Sequence, residues 1–435
     1  MRRTLLLCTL PLAWIGSFSC SGGNTTIDAG QDVAPQDVAI EYYKAETAPP
    51  TPTIIQLAAG AQHTCMLISY GQQYVTYCFG LATALGATAQ GILAVPTNGT
   101  NATMQPSLLT IASSHGAGHT CGIDTQHQVW CWGDNTAGQC GQGNIETPVM
   151  APELSLDSQF GITQAKPGLI AAGTSTTCVV RPLDGKLECF GDNTSCESDL
   201  YDMTGCSQNP EISTLTTDTD VVFTNLTLLS QGDVHGCVAA SPYPTGNASL
   251  FCYGDNAFLE SGPTGKAITT PADNIAPPTS IISLSTGDAH TCFVTNSPHQ
   301  LYCFGKNDMH QASPTSTTTP IDPTTIAPIA LPGGATPYTV GVRSAESCVA
   351  DTDGNLWCFG MGHGTNIDAV TGLKNVGEIA VGGAHTCAVA NLPTDPANAP
   401  ASVLCWGDNT NGQAGQPAGG TIATPTAVVI PQSAP

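Results

Sequence analysis

Basic side chains are nearly missing from this chain. Ten Lys plus Arg stand against 33 Asp plus Glu in 435 residues, and Arg2 and Arg3 account for two of the ten. A phosphate backbone is bound by clustered cations that displace its counterions, so nucleic acid is excluded as a partner. The acidic excess keeps the chain soluble and repels anionic lipid. Long apolar runs are also missing: past the first twenty residues nothing approaches the ~18 apolar residues of a spanning helix. The sequence holds no Gly-x-Ser-x-Gly and no His-Glu-x-x-His, and Gly265-Lys266-Ala267 lacks the upstream glycine and following hydroxyl of a phosphate loop. No Cys-x-x-Cys pair offers a zinc site. The sequence therefore reads as having no catalytic residue, no cofactor, no metal site and no enzymatic activity.

What it has is cysteine in a pattern. A cysteine, an aromatic residue and a glycine recur seven times, at Cys78-Phe79-Gly80, Cys131-Trp132-Gly133, Cys189-Phe190-Gly191, Cys252-Tyr253-Gly254, Cys303-Phe304-Gly305, Cys358-Phe359-Gly360 and Cys405-Trp406-Gly407. Each follows another cysteine, at Cys65, Cys121, Cys178, Cys237, Cys292, Cys348 and Cys387, with 9 to 17 residues between the two. The first cysteines lie 56, 57, 59, 55, 56 and 39 residues apart, which suits one propeller blade per unit. With Gly 47 and Pro 32, many short strands and tight turns are expected, and an all-β fold. The flanks of the paired cysteines are strand-like. Adjacent antiparallel strands bring opposed residues to ~4.5 Å between Cα atoms, so one cross-strand disulfide per unit is expected, set against metal binding and free thiols.

The N-terminus differs in kind. Arg2 and Arg3, an apolar run from Leu5 to Ile15 and Ser17-Phe18-Ser19-Cys20 read as an export signal over residues 1–19. It resembles a bacterial lipoprotein leader, which implies acylation of Cys20; ordinary cleavage nearby, with Cys20 unmodified, is the alternative. Residues 20–52, rich in Gly, Asp, Gln, Ala and Pro, read as a disordered tether. Export fits nineteen cysteines, since disulfides persist in oxidising compartments. An outer-membrane or cell-surface lipoprotein is expected, with a secreted or periplasmic protein as the alternative.

The units also share Gly-x-x-His-Thr before the first cysteine and Gly-Asp-Asn after the second, as in Gly116 to Gly141 and Gly382 to Gly415. In this the chain resembles the regulator of chromosome condensation repeat family over about residues 54 to 435. The resemblance implies a seven-bladed β-propeller over residues 53–435; it does not transmit a function. Departures fall at Arg343, which replaces the glycine, at Thr176 and Glu346, which replace the histidine, and at Gly80-Leu81-Ala82 and Gly360-Met361-Gly362. The segment Thr424 to Pro431 resembles the Thr-Pro segment at Thr147, so this C-terminal strand is expected to pair into the first blade and close the ring.

Other groups have bland and sharp readings. His63, His119, His235, His290 and His385 recur two residues before a cysteine; a metal or pH-sensing ring is the sharp reading, and hydrogen bonds to backbone inside each blade the bland one. Cys196 and Cys206 bracket an acidic insertion and are expected to pair, leaving Cys140 without a stated fate. Asp351-Thr352-Asp353-Gly354-Asn355 looks calcium-like but reads better as a hairpin turn. Variable hairpin tips gather on one rim, and loops on a rigid frame are where recognition sits. Tyr70, Tyr74 and Tyr243 are the candidate contacts for an unknown protein or glycan at the cell surface, bound by a monomer. An enzyme with a central-channel site and an inert structural surface protein are the alternatives.

Overall fold

The computed structural model describes residues 51–81, 93–94, 106–114, 116, 118–142, 148–155, 169–180, 187–192, 194, 213–215, 223–242, 249–262, 280–396 and 399–432, and near the N-terminus only 6–7 and 21–22. The chain divides into two units, Met1–Ala48 and Pro49–Pro435. The expected signal, Cys20, most of the tether, Cys196, Cys206 and Tyr243 lie outside the described residues.

Within Pro49–Pro435 seven antiparallel sheets follow one another, each with its strands in chain order. Blade one is Thr53–Ala59, His63–Tyr70, Gln73–Gly80 and Leu93–Ala94. Blade seven is Lys374–Val381, His385–Asn391, Ser402–Asp408 and Thr421–Ala427. Among the described residues blades four and five show three strands each, the latter extended by bridges Leu301↔Ile329 and Gly305↔Ile321. The first strands of successive blades neighbour one another, and the first strand of blade seven neighbours that of blade one, so they line the axis of a closed ring.

Each residue of the cysteine-aromatic-glycine unit has its own physical role. The cysteines oppose each other across the second and third strands, as Cys65↔Cys78 and Cys121↔Cys131, and all seven pairs are disulfides with Cα atoms 4.0 to 4.2 Å apart. The aromatics leave the blade and fill clusters between blades. Phe79 joins residues of blade seven, Phe190 those of blades one and two, and Phe359 those of blade five. Burial of one such ring contributes roughly 1.5–3 kcal/mol. The glycine is required by its backbone: Gly191 has φ +116°, and a Cβ there would lie 2.1 Å from Ser175 O.

Ring closure takes a different form from the expected one. Thr421–Ala427 pairs with Ser402–Asp408 of its own blade, not with blade one. The C-terminal segment beyond it does close the ring, by packing: Val428 lies buried against Tyr70, Phe79 and Met66, and the Tyr70 hydroxyl donates to Pro431 O at 2.7 Å. Leu57 N donating to Glu378 Oε1 at 3.0 Å adds a further tie.

Candidate functional site

The five recurrent histidines are interblade joints. His63 Nε2 meets Thr120 Oγ1 of the next blade at 2.8 Å, His119 meets Thr177 at 2.8 Å, His235 meets Thr291 at 2.8 Å, His290 meets Ser347 at 3.0 Å and His385 meets Thr64 at 2.7 Å. The expectation of bonds inside each blade is corrected: the partner is the hydroxyl just before the next blade's first cysteine. Three of these hydroxyls donate onward to a glutamine carbonyl, Thr177 to Gln139 O, Thr64 to Gln413 O and Ser347 to Gln311 O. With the hydroxyl proton so engaged, His119, His385 and His290 donate from Nε2. Burial holds all five imidazoles neutral, at about 4 for His63 and His290 and about 3 for His119, His235 and His385. Each Nε2 is thus engaged by a hydroxyl of its own joint, while each Nδ1 is buried with no hydrogen-bond partner among the described residues.

Two joints are different. Between blades three and four the histidine is Thr176 and the hydroxyl partner is Gly236; both members have gone together. Tyr253 of blade four reaches into the gap, donating to Gln231 Oε1 at 2.7 Å and to Cys178 Sγ at 3.4 Å. Between blades six and seven Glu346 has replaced the histidine and turns to His363, 3.4 Å from Nε2. Asp368 holds the other nitrogen of His363 at 2.9 Å. These acids raise the His363 pKa, the Glu346 hydrogen bond most.

The histidine also explains its glycine. A Cβ at Gly60 would lie 2.3 Å from His63 Cε1, and one at Gly382 would lie 2.2 Å from His385 Cε1. Blade six has no imidazole, so the position is free to carry Arg343. This guanidinium is 5% exposed, with Nε 3.7 Å from Asp288 Oδ1. Burial lowers its pKa against the pull of Asp233 and Asp288. Asp233 bonds the Thr174 hydroxyl, and burial followed by the Asp288 charge raises its pKa. Thr174, Asp233, Asp288 and Arg343 come from the equivalent turn of blades three, four, five and six, at one end of the axis.

Because strands alternate in direction, these turns share a face with the loops after each third strand. On that face Phe258, Met309 and Met361 stand 37%, 48% and 54% exposed, in the loops of blades four, five and six. Lys306 Nζ lies 5.2 Å from the Phe258 ring centroid. Glu260, buried where blades two, five and seven have glutamine, is pushed up to about 7 by burial and by Asp255. A cavity of about 540 Å³ lies under the long loop of blade five, with Asp322 as its one titratable lining side chain.

The hairpin tips occupy the opposite face. Tyr70 is buried under the C-terminal segment, a correction to its reading as a contact, and Tyr74 is half-buried against the core of blades one and two. Gly71, Gln72 and Gln73 are the exposed residues of that tip. Asp351 is spent on its own hairpin, accepting from Asp353 N and Asn355 N at 2.9 Å and from Trp357 Nε1 at 2.8 Å, which keeps its carboxyl below the usual range and leaves a turn, not a calcium loop. Glu346, Cys348 and Cys358 come together, but both sulfurs are in a disulfide and cannot ligate. Cys140 is a buried thiol donating to Asp134 O at 3.3 Å, with its pKa raised by burial, so it is poorly placed to react. The joint hydroxyls and the axial acids were missed in the sequence. The signal for the first was the Thr or Ser between histidine and cysteine; for the second, the joint replacement of Gly and His by Arg343 and Glu346.

The model of the regulator of chromosome condensation (RCC1) repeat matches residues 111–139 and 281–311, in blades two and five. Among solved structures the chain is similar to Prp20p of Saccharomyces cerevisiae, at 15% identity with a TM-score of 0.61, covering 87% of this chain and 88% of that one. Yeast Prp20 in its complex with Kap60 gives 15% identity, a TM-score of 0.63 and coverage of 94% and 91%. Human WBSCR16 gives 14%, 0.61, 78% and 84%. Seven sheets and seven intrablade disulfides make the chain a seven-bladed β-propeller, and two of its blades carry the regulator of chromosome condensation repeat.

Proposed function

We propose that this propeller is an exported binding module that recognises a protein through the turn face of blades four to six. The observation that carries the reading is the exposure of Phe258, Met309 and Met361 in the corresponding loops of three consecutive blades. Large apolar side chains grouped on one face are characteristic of interaction surfaces, and aromatic residues and methionine are enriched there. The fold in yeast offers a precedent, because Prp20p binds Gsp1p and histones and forms a complex with Kap60. The basic patch that would serve nucleic acid is missing, and the seven disulfides suit an oxidising, extracellular setting. Export by residues 1–19, a lipid on Cys20 and a tether to residue 52 would hold the monomeric ring off a bacterial surface.

A second reading places recognition at the hairpin tips. It rests on their unequal lengths, from the two-residue turn at 71–72 to the segment 392–401 of blade seven. One crosslinking experiment separates the two, using the oxidised chain as bait on cell-surface and secreted fractions. The turn-face reading expects a partner lost with Phe258→Ser, Met309→Ser and Met361→Ser combined and kept when the tips of blades four and seven are shortened. The reverse pattern moves recognition to the tips; capture of nothing but the chain itself overturns both.

A further inference from the structure

The axial cluster contains charges of both signs that the protein leaves incompletely matched. Arg343 is buried, yet neither Nε nor Nη1 has a hydrogen-bond partner among the described residues, and its nearest carboxylate stands at 3.7 Å. Buried guanidinium donors without acceptors are costly and rare. Beside it Asp233 and Asp288 are close enough to repel, tempered by Thr174 and by Ser344 N, which donates to Asp288 Oδ1 at 3.2 Å. The cluster reaches solvent: the Asp288 side chain is 39% exposed, whereas that of Arg343 is 5% exposed. Across the axis the equivalent turn positions are Ala61 and Gly383, which carry almost no side chain to fill the space.

We propose that this cluster is a binding site for a small zwitterion of the α-amino-acid class, its carboxylate accepting from Arg343 and its ammonium donating to Asp233 and Asp288. A simple anion would satisfy the guanidinium but would face two carboxylates on a chain of net charge −23. A simple cation would calm the acid pair and leave the guanidinium donors unpartnered. Only a ligand carrying both charges on neighbouring atoms answers both halves. The site is independent of the protein-binding surface proposed above, since it uses the axis and not the outer loops.

The test is isothermal titration of the oxidised full chain with the common L-amino acids, and with acetate and ethylammonium as the two separated halves. Saturable binding of at least one amino acid is expected, with each half weaker by about tenfold or more. Arg343→Lys and Asp288→Asn should each weaken that binding by about tenfold while thermal melting shows the ring intact. Asp288→Asn, partly exposed, serves alone if the buried substitution prevents folding. The proposal is overturned if no amino acid binds at millimolar concentration, if acetate binds as tightly, or if Asp288→Asn binds unchanged.

Discussion

Five of the seven joints between blades are alike and two are not. At the alike joints a neutral histidine meets a hydroxyl, the glycine beside it stays bare, and the central turn carries no basic side chain. The two altered joints, between blades three and four and between six and seven, flank blades four to six. In those blades lie Asp233, Glu260, Asp288, Arg343 and the Glu346–His363 pair. A repeat holds its shape by the regular joint, and side chains that the regular joint would exclude become possible where it is given up. Arg343 shows the coupling directly, because a Cβ at this position is sterically barred in blades one and seven by an imidazole that blade six lacks.

The largest test of this contrast is acid. The unfolded chain's histidines titrate near 6.5 while the folded ones at the regular joints lie at about 3 to 4, so protons bind the unfolded state preferentially. Their stabilisation is complete above ~6.5 and is lost as pH falls toward the folded values, by up to ~1.4 kcal/mol per histidine per pH unit. Glu260 and Glu378 act oppositely, since folded values of about 7 make them more favourable on acidification from 7 toward 4.5. Asp233 and His363, also raised on folding, work with the glutamates, and the five histidines are expected to outweigh them, giving a net loss of stability between pH 7 and 5 that is read by denaturant unfolding at each pH. A flat profile would remove the neutral joint from the account.

A smaller effect is expected from His119→Ala, which empties a buried site and strips Thr177 of its donor. A loss of about 2–4 kcal/mol in unfolding free energy is expected, against a denaturant midpoint nearly unchanged if the joint is decorative. Smallest is Glu346→Gln at an altered joint. Its partner His363 is partly exposed, so stability should move by less than about 1 kcal/mol. The His363 titration midpoint, followed by NMR, should fall because its strongest acidic partner has been neutralised.

The sequence made the blades legible and left their joints largely hidden. Cys65 and Cys78, or Cys387 and Cys405, lie within one hairpin, so spacing alone brings them opposite one another. His63 and Thr120 are joined across a whole blade, and nothing in local periodicity tells a side chain which neighbour it will meet. The same limit explains ring closure. A Thr-Pro segment looks alike whether it pairs with the preceding strand or with a strand more than 350 residues away, and here it takes the nearer one. Tyr70 failed as a contact for a related reason: a hairpin tip exposed by its own blade is covered by the end of the chain. Arg343 was visible as an exception, but its meaning depended on the three turns beside it.

That each blade is completed by consecutive residues bears on how the protein comes to be made. Every intrablade disulfide closes a loop of 10 to 18 residues, so correct partners meet soon after they are synthesised and before the next pair arrives. Among the described residues no strand has to wait for the far terminus to complete its sheet. Oxidation can therefore proceed in order along the chain, one finished blade at a time, and the last event is noncovalent: the seventh blade settles against the first and the tail folds over Tyr70.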